Sequence, residues 1–257
     1  MKTLKSVGFL LGLPIILLLW WWLATSGEPN FFVPTPAKLL TTFVETWIGE
    51  RLITDVLPSI MRLVIGVLAA IVLGIVLGLA VGLNRTMRAV TEPVFEFFRA
   101  LPPPVLVPVL MLLVGINDGM KIAVIISGCV WPVLLNTIEG VRSIDPVQNE
   151  TSRSYGISGF ARIRYQILPS ATPTIMAGVR QALSIGLILM VISEMFASSS
   201  GLGFTIVQFQ RSFAVPEMWS GIVVLGLIGV ALSFIFQAVE RRVLRWYHGL
   251  KEVENAV

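Results

Sequence analysis

The sequence predicts an all-α integral membrane protein with six transmembrane helices. Three observations carry this. The chain is 55% hydrophobic and 13% charged, whereas an ordinary soluble domain is about one quarter charged. Five stretches, residues 6–27, 63–83, 100–117, 122–138 and 218–239, contain no charged residue at all. A run of roughly 20 apolar residues crosses the hydrocarbon layer as a helix, because only there does the backbone satisfy its own hydrogen bonds without water. Finally, lysine and arginine gather on alternate connecting segments, as they do when a chain threads back and forth through a bilayer.

The first stretch follows Lys2 and Lys5, as a secretory leader would, but its length, its Trp20-Trp21-Trp22 and the lack of a small-x-small cleavage site favour a retained helix. Pro29, Pro34 and Pro36 then open a segment whose apolar residues Leu39, Leu40, Phe43, Val44, Trp47 and Ile48 fit an amphipathic helix. It either lies on the membrane surface or forms a lid on the protein itself. The second span carries Gly66, Ala70, Gly74, Gly78 and Gly82, one small residue every four positions. Such a ladder makes a flat ridge on which another helix packs closely, and Gly74, Gly78 and Gly82 are the packing residues expected.

Leu101-Pro102-Pro103-Pro104 and Pro108 then predict a broken or bent third span, since a proline beyond the first turn leaves a carbonyl without its amide donor. The fourth span holds the single cysteine, Cys129, which excludes an internal disulfide and reads as a small core residue. A sixth span, residues 172–196, is apolar apart from Arg180 and Glu194 near its ends.

Charge placement sets the expected orientation. With both termini cytoplasmic, 13 of the 19 lysines and arginines fall in inside segments, from Lys2 to Lys251. Only Lys38, Arg51, Lys121 and Arg211 fall outside. The net charge of +4 is therefore read as topology and lipid contact, not as a sign of nucleic acid.

The longest inside segment is the most distinctive. Asp145-Pro146 is a helix start, with Asp145 as cap and Pro146 in the first turn. A short helix is expected to Tyr155, then a turn at Gly156, then a second amphipathic stretch with Phe160, Ile163 and Ile167 on one side, and Leu168-Pro169 before the next span. Two short helices meeting at a glycine make a protrusion that a partner can grip.

These residues resemble the permeases of binding-protein-dependent ABC importers, most closely the nitrate, sulfonate and taurine branch. The loop reads Glu150-Thr151-Ser152, Gly156 and Gln166-Ile167-Leu168-Pro169, where the family has Glu-Ala-Ala, Gly and aliphatic-x-Leu-Pro. Thr151, Ser152 and Gln166 depart from that pattern. Arg99-Ala100-Leu101-Pro102-Pro103, Asn136-Thr137, residues 140–146, Ser200-Gly201-Leu202-Gly203 and Glu240-Arg241-Arg242 also look like this branch.

The resemblance implies a single type I importer permease domain over residues 1–257, with its helical core at about 57–245 and a coupling loop at 142–169. It implies that Glu150, Ser152, Tyr155, Gly156, Phe160, Leu168 and Pro169 engage an ATPase groove. The expected partners are a second copy of the chain, two ATP-binding cassette subunits that hold ATP and Mg, and an extracytoplasmic solute-binding protein, all at a bacterial inner membrane. The solute class implied is a small anion such as a sulfonate, taurine, nitrate, bicarbonate or an aromatic acid.

The chain itself offers no catalytic chemistry. No Gly-x4-Gly-Lys-Ser/Thr loop occurs, no Cys, His and carboxylate cluster has metal-ligand spacing, and the lone His248 sits in a basic tail. Ser198 to Gly203 is expected to be an outside turn rather than a phosphate cradle. Arg62, Arg180 and Glu194 are ionisable residues within spans, and so either snorkel to the membrane interface, form internal ion pairs, or line the solute path. The rival reading is a secondary transporter or channel that needs no ATPase. An intramembrane enzyme would be a third, but no nucleophile-base pair supports it.

Overall fold

The structure is a computed structural model that describes residues 2–27, 31–196, 198–247 and 249; Glu28, Pro29, His248 and Lys251 lie outside the described residues. Helices carry the described residues, with no strand among them. Four helical runs are long and apolar enough to cross a membrane: Leu52–Leu83, Asp118–Arg142, Gly159–Phe196 and Val215–Val243. A bent pair adds a fifth if counted as one span, and Ile15–Thr25 is a shorter apolar stretch.

The chain forms two compact units, one of residues 1–58 and 200–227, the other of residues 59–199 and 228–257. The first contains α1 (Lys2–Thr25) and α2 (Pro36–Trp47). In α2, the Thr35 hydroxyl oxygen accepts a bond from the Lys38 amide and Pro36 opens the helix, so the start is capped. One face of α2 is buried through Leu39, Thr42 and Trp47, while Leu40, Val44 and Ile48 on the other are exposed. Trp47 Nε1 donates to Ser220 Oγ at 2.8 Å and its ring meets Phe209 edge-on. The helix is thus a lid on this unit along one face and leaves an open apolar stripe along the other.

The helical run Leu52–Leu83 opens with a π turn, Leu52–Val56, and continues as α3 (Leu57–Leu83). After it, Asn84 Oδ1 accepts from the amides of Thr86 and Met87 and starts α4 (Arg85–Ala100), a helix the hydropathy pattern hides because it carries five charges. A 3-10 turn, Pro103–Val105, leads into α5 (Leu106–Val114). The two limbs are bent by 77°. The expected break in the third span is thus present, and it lies at Leu101-Pro102, where the backbone is extended. Pro108 does not break it: it sits in the first turn of α5, where amides have no helical partner to lose.

Beyond Asn117, whose Oδ1 accepts from the Met120 amide, runs α6 (Asp118–Arg142). Then come α7 (Pro146–Ser154), α8 (Gly159–Arg162), a π turn at Ile163–Ile167 and α9 (Leu168–Phe196). The expected sixth span, residues 172–196, is thus the far part of an unbroken run from Gly159 to Phe196. Nor do Phe160, Ile163 and Ile167 share one environment, since Phe160 is exposed and Ile167 buried within that run. The chain ends with α10 (Leu202–Arg211) and α11 (Val215–Val243). Before α10, the Gly201 amide is taken by Asp55 Oδ1 at 3.1 Å, so this turn offers a carboxylate where a phosphate cradle would offer a free donor.

The second unit is built on α3, α6 and α9. The α3 ladder lies against α6: a Cβ at Gly74 would fall 2.7 Å from Val133 Cβ, and one at Gly78 would fall 2.5 Å from Thr137 Cβ and 2.9 Å from the Leu134 carbonyl oxygen. Gly66 meets Ile125 and Gly82 meets Val141 in the same register. On the other side of α6, Gly140 meets Ala171, and Gly178 lies against the Pro132 carbonyl and Val133. Cys129 Sγ donates to the Ala182 carbonyl at 3.2 Å, buried where Gly186 also admits Val67.

These contacts set a test. Gly78→Leu has no room to repack and is expected to cost about 1–3 kcal/mol of stability, read as an earlier midpoint when the purified chain is unfolded by SDS in mixed micelles. Gly226→Ala, where a Cβ meets open space, serves as the control and should leave the midpoint in place. Equal midpoints for both variants would mean that the α3–α6 contact does not hold the unit together.

Candidate functional site

Residues 142–169 form a clamped helix-turn-helix. Asp145 Oδ1 accepts from the Val147 amide at 2.7 Å and Pro146 fills the first helical position, which fixes where α7 begins. Its end is closed by the Schellman pattern. The Ile157 amide reaches back to the Ser152 carbonyl at 2.9 Å and the Gly156 amide to the Arg153 carbonyl at 3.0 Å. That closure needs a left-handed residue, and Gly156 supplies it with φ of +69°. A Cβ at Gly156 would meet nothing within 4 Å, so the glycine answers to backbone angle and not to crowding within the chain.

The two arms are joined by polar side chains. Asn149 Oδ1 accepts from Arg162 Nη2 at 3.1 Å and from Gln166 Nε2 at 2.9 Å, while Gln166 Oε1 accepts from Arg162 Nε at 3.3 Å. Ser170 Oγ donates to Gln148 Oε1 at 3.2 Å. Gln166, the residue that departs from an aliphatic position, is thus buried and hydrogen-bonded. Ser152 is also buried, Leu168 and Pro169 are half-buried, and Glu150 is exposed. Around the Gly156 turn, Tyr155 is 80% exposed and Phe160 77%. Two large aromatic side chains thus stand exposed on either side of one turn.

At the opposite ends of α6 and α9 lies a cluster of charges. Glu194 is fully buried, and its Oε1 accepts from Arg62 Nη1 at 2.6 Å, with Arg62 only 5% exposed. Ser59 Oγ lies 2.7 and 2.9 Å from the two oxygens of Glu194. Arg62 Nη2 also reaches Asp118 Oδ1 at 2.8 Å, which Lys121 Nζ approaches at 3.2 Å. Asp118 is 62% exposed. The structure therefore brings Arg62 and Glu194 together and leaves Arg180 elsewhere, paired with Glu240 and with its guanidinium 5.5 Å over the Phe236 ring.

Sequence reading did not single out Ser59, Asp118, Asn149 or Gln166 as partners. A signal existed for the first two: Ser59 is one turn before Arg62, and Asp118 with Lys121 is an i, i+3 pair at the mouth of a span.

Removing Glu194 takes from the buried Arg62 its closest counter-ion and leaves it the largely exposed Asp118 carboxylate. Glu194→Ala is expected to cost about 3–5 kcal/mol, whereas the double variant Arg62→Met with Glu194→Leu should recover most of that loss. SDS-induced unfolding of both variants reads this out. Equal losses would show that the uncompensated charge is not what destabilises the single variant.

Comparison with known proteins agrees with this architecture. Residues 70–247 match the family of binding-protein-dependent transport system inner membrane components. The chain is 34% identical over 223 residues to the putative aliphatic sulfonates transport permease protein SsuC of Escherichia coli (strain K12), covering 86% of this chain and 84% of that one. It is 29% identical over 241 residues to the taurine transport system permease protein TauC of the same organism, covering 91% and 88%. Among solved structures, the inward-facing MetNI methionine ABC transporter superposes with a TM-score of 0.59 at 19% identity, over 75% of this chain and 97% of that chain, so the fold is shared. The chain belongs to the binding-protein-dependent transport system inner membrane component family, as the membrane-spanning permease of an ABC importer.

Proposed function

We propose that two copies of this chain form the solute path of an importer for a small anion, with loop 142–169 seated on two separate ATP-binding cassette subunits. The observation that carries this reading is the loop itself. It presents Tyr155 and Phe160 at a left-handed turn, it is pinned by Asn149, and it continues without interruption into α9. Glu150, Ser152, Gly156, Leu168 and Pro169 shape the same protrusion. ATP and Mg are held by the cassette subunits, since this sequence has no phosphate-cradling loop. An extracytoplasmic binding protein delivers the solute at the other end of the path. The family context supports both kinds of partner. The anion class is supported by the sulfonate and taurine permeases to which the chain is similar.

In this arrangement both termini are cytoplasmic, as the 13 inside against 4 outside cations indicate. The Arg62–Glu194 pair ties α3 to α9 at the extracytoplasmic end, where alternating access requires a gate. Arg180 lies in the half of α9 nearer the cassette subunits, about 18 Å from Leu168 at 1.5 Å per residue.

The docking role is tested at Gly156. Gly156→Val forces a β-branched residue into a left-handed conformation, yet its side chain meets open space and lies far from the span contacts. Normal abundance in the membrane is expected, together with loss of the cassette subunit on copurification and loss of transport-coupled ATP hydrolysis. A variant that transports and hydrolyses like the parent would remove the loop from the mechanism.

Orientation has its own test. Lys2→Cys and Lys251→Cys should resist an impermeant thiol reagent in intact cells, and Lys38→Cys should react. Cys129 is buried and gives a low background. Labelling at either terminus from outside would invert the arrangement.

A further inference from the structure

Between α9 and the second half of α11 lies a cavity of about 680 Å3. The two helices run antiparallel here: Leu187 packs against Gly229 at one end, and Arg180 meets Glu240 at the other. Arg180, Glu240 and Arg241 stand at the end nearer the loop, and Leu187, Ile188 and Leu232 line the part toward the middle of the helices. Two cations face one carboxylate, so the polar end carries a positive surplus.

Arg180 is held, but not used up. Glu240 takes one side of its guanidinium and the Phe236 ring lies over one face, yet the side chain remains 61% exposed. A guanidinium has five N–H donors in a fixed fork that suits the paired oxygens of an oxyanion. Carrying that charge into a membrane span is costly, and the cost is met when the group faces a polar cavity with work to do. Apolar walls beside it favour a ligand with a short hydrocarbon part.

We propose that this cavity binds an anion with an oxyanion head and an apolar tail, the head on Arg180 with Glu240 as its displaceable counter-ion and the tail against the α9 and α11 leucines. Two sources have this chemistry: a transported solute leaving toward the cytoplasm, or an anionic lipid of the cytoplasmic leaflet. The solute source rests on the importer reading; the site itself does not.

The test uses the full complex, permease with cassette subunits, in nanodiscs. One arm measures saturable binding of radiolabelled hexanesulfonate in pure phosphatidylcholine. The other counts phosphatidylglycerol retained per chain, by native mass spectrometry, from mixed nanodiscs. Wild type should hold one of these probes, and which one identifies the source. Arg180→Gln should weaken that probe by about tenfold or more, the loss expected for a charge-assisted pair, with Arg180→Lys intermediate. Glu240→Gln should tighten it, because the competing carboxylate is neutralised. Should Arg180→Gln fail to assemble, Glu240→Gln alone decides. Neither probe bound, equal binding by Arg180→Gln, or weaker binding by Glu240→Gln overturns the proposal. Copurification of the cassette subunit is scored separately, so its loss from wild type would count against the importer reading and not against the cavity.

Discussion

Lipid is as apolar as leucine, so helices within a bilayer gain little by hiding hydrophobic surface from it, and close approach must come from shape. In this chain the shape is a single stripe on α3. Ser59, Arg62, Gly66, Ala70, Gly74, Gly78 and Val81 are all buried and recur at helical spacing. Most of the stripe is smooth enough for α6 to lie directly on the backbone. Its first turn instead carries Arg62, which the same register delivers to Glu194 and Asp118. The packing ridge and the charge cluster are one feature of sequence, and the placement of α6 and α9 follows from it. Because those two helices flank residues 142–169, the stripe also fixes where the loop emerges.

Much of this was legible in the sequence. The charge-free runs at residues 63–83, 122–138 and 218–239 marked long helices, the four-residue register of glycines marked a face, and Asp145-Pro146 with Gly156 marked the bounds of α7. What escaped has physical causes. Helix α4 carries five charges and so fails any hydropathy test, though Asn84 caps it well. The bend lies at Leu101-Pro102 instead of Pro108 because a proline is harmless in a first turn. Continuity from Gly159 to Phe196 was hidden by Leu168-Pro169, which reads as a boundary unless a π turn precedes it. The partners of Arg62 and Arg180 lie 132 and 60 residues away, a separation that local patterns do not span. Family membership removes the rival of a transporter that works without an ATPase.

Gln166 shows how a motif can depart from its family in letters and keep its geometry. An aliphatic residue at that position would be buried by packing. Here the amide is buried by bonding to Asn149 and Arg162, which hold one arm of the loop to the other. Directional bonds fix the angle between the arms more narrowly than apolar contact does. Thr151 is similar in kind: its hydroxyl donates back to the Val147 carbonyl at 2.8 Å, within its own helix.

The unbroken run from Gly159 to Phe196 has a mechanical meaning. Thirty-eight helical residues make a rod about 57 Å long at 1.5 Å per residue. One end of that run carries the exposed Phe160, and the other carries Glu194 in the charge cluster. A tilt of about 10° around its middle would swing each end by about 5 Å in opposite directions, more than the length of the Arg62–Glu194 bond. A displacement of the exposed aromatic end is thus matched by an equal and opposite one at the Arg62–Glu194 pair, because both ride on one continuous helical run.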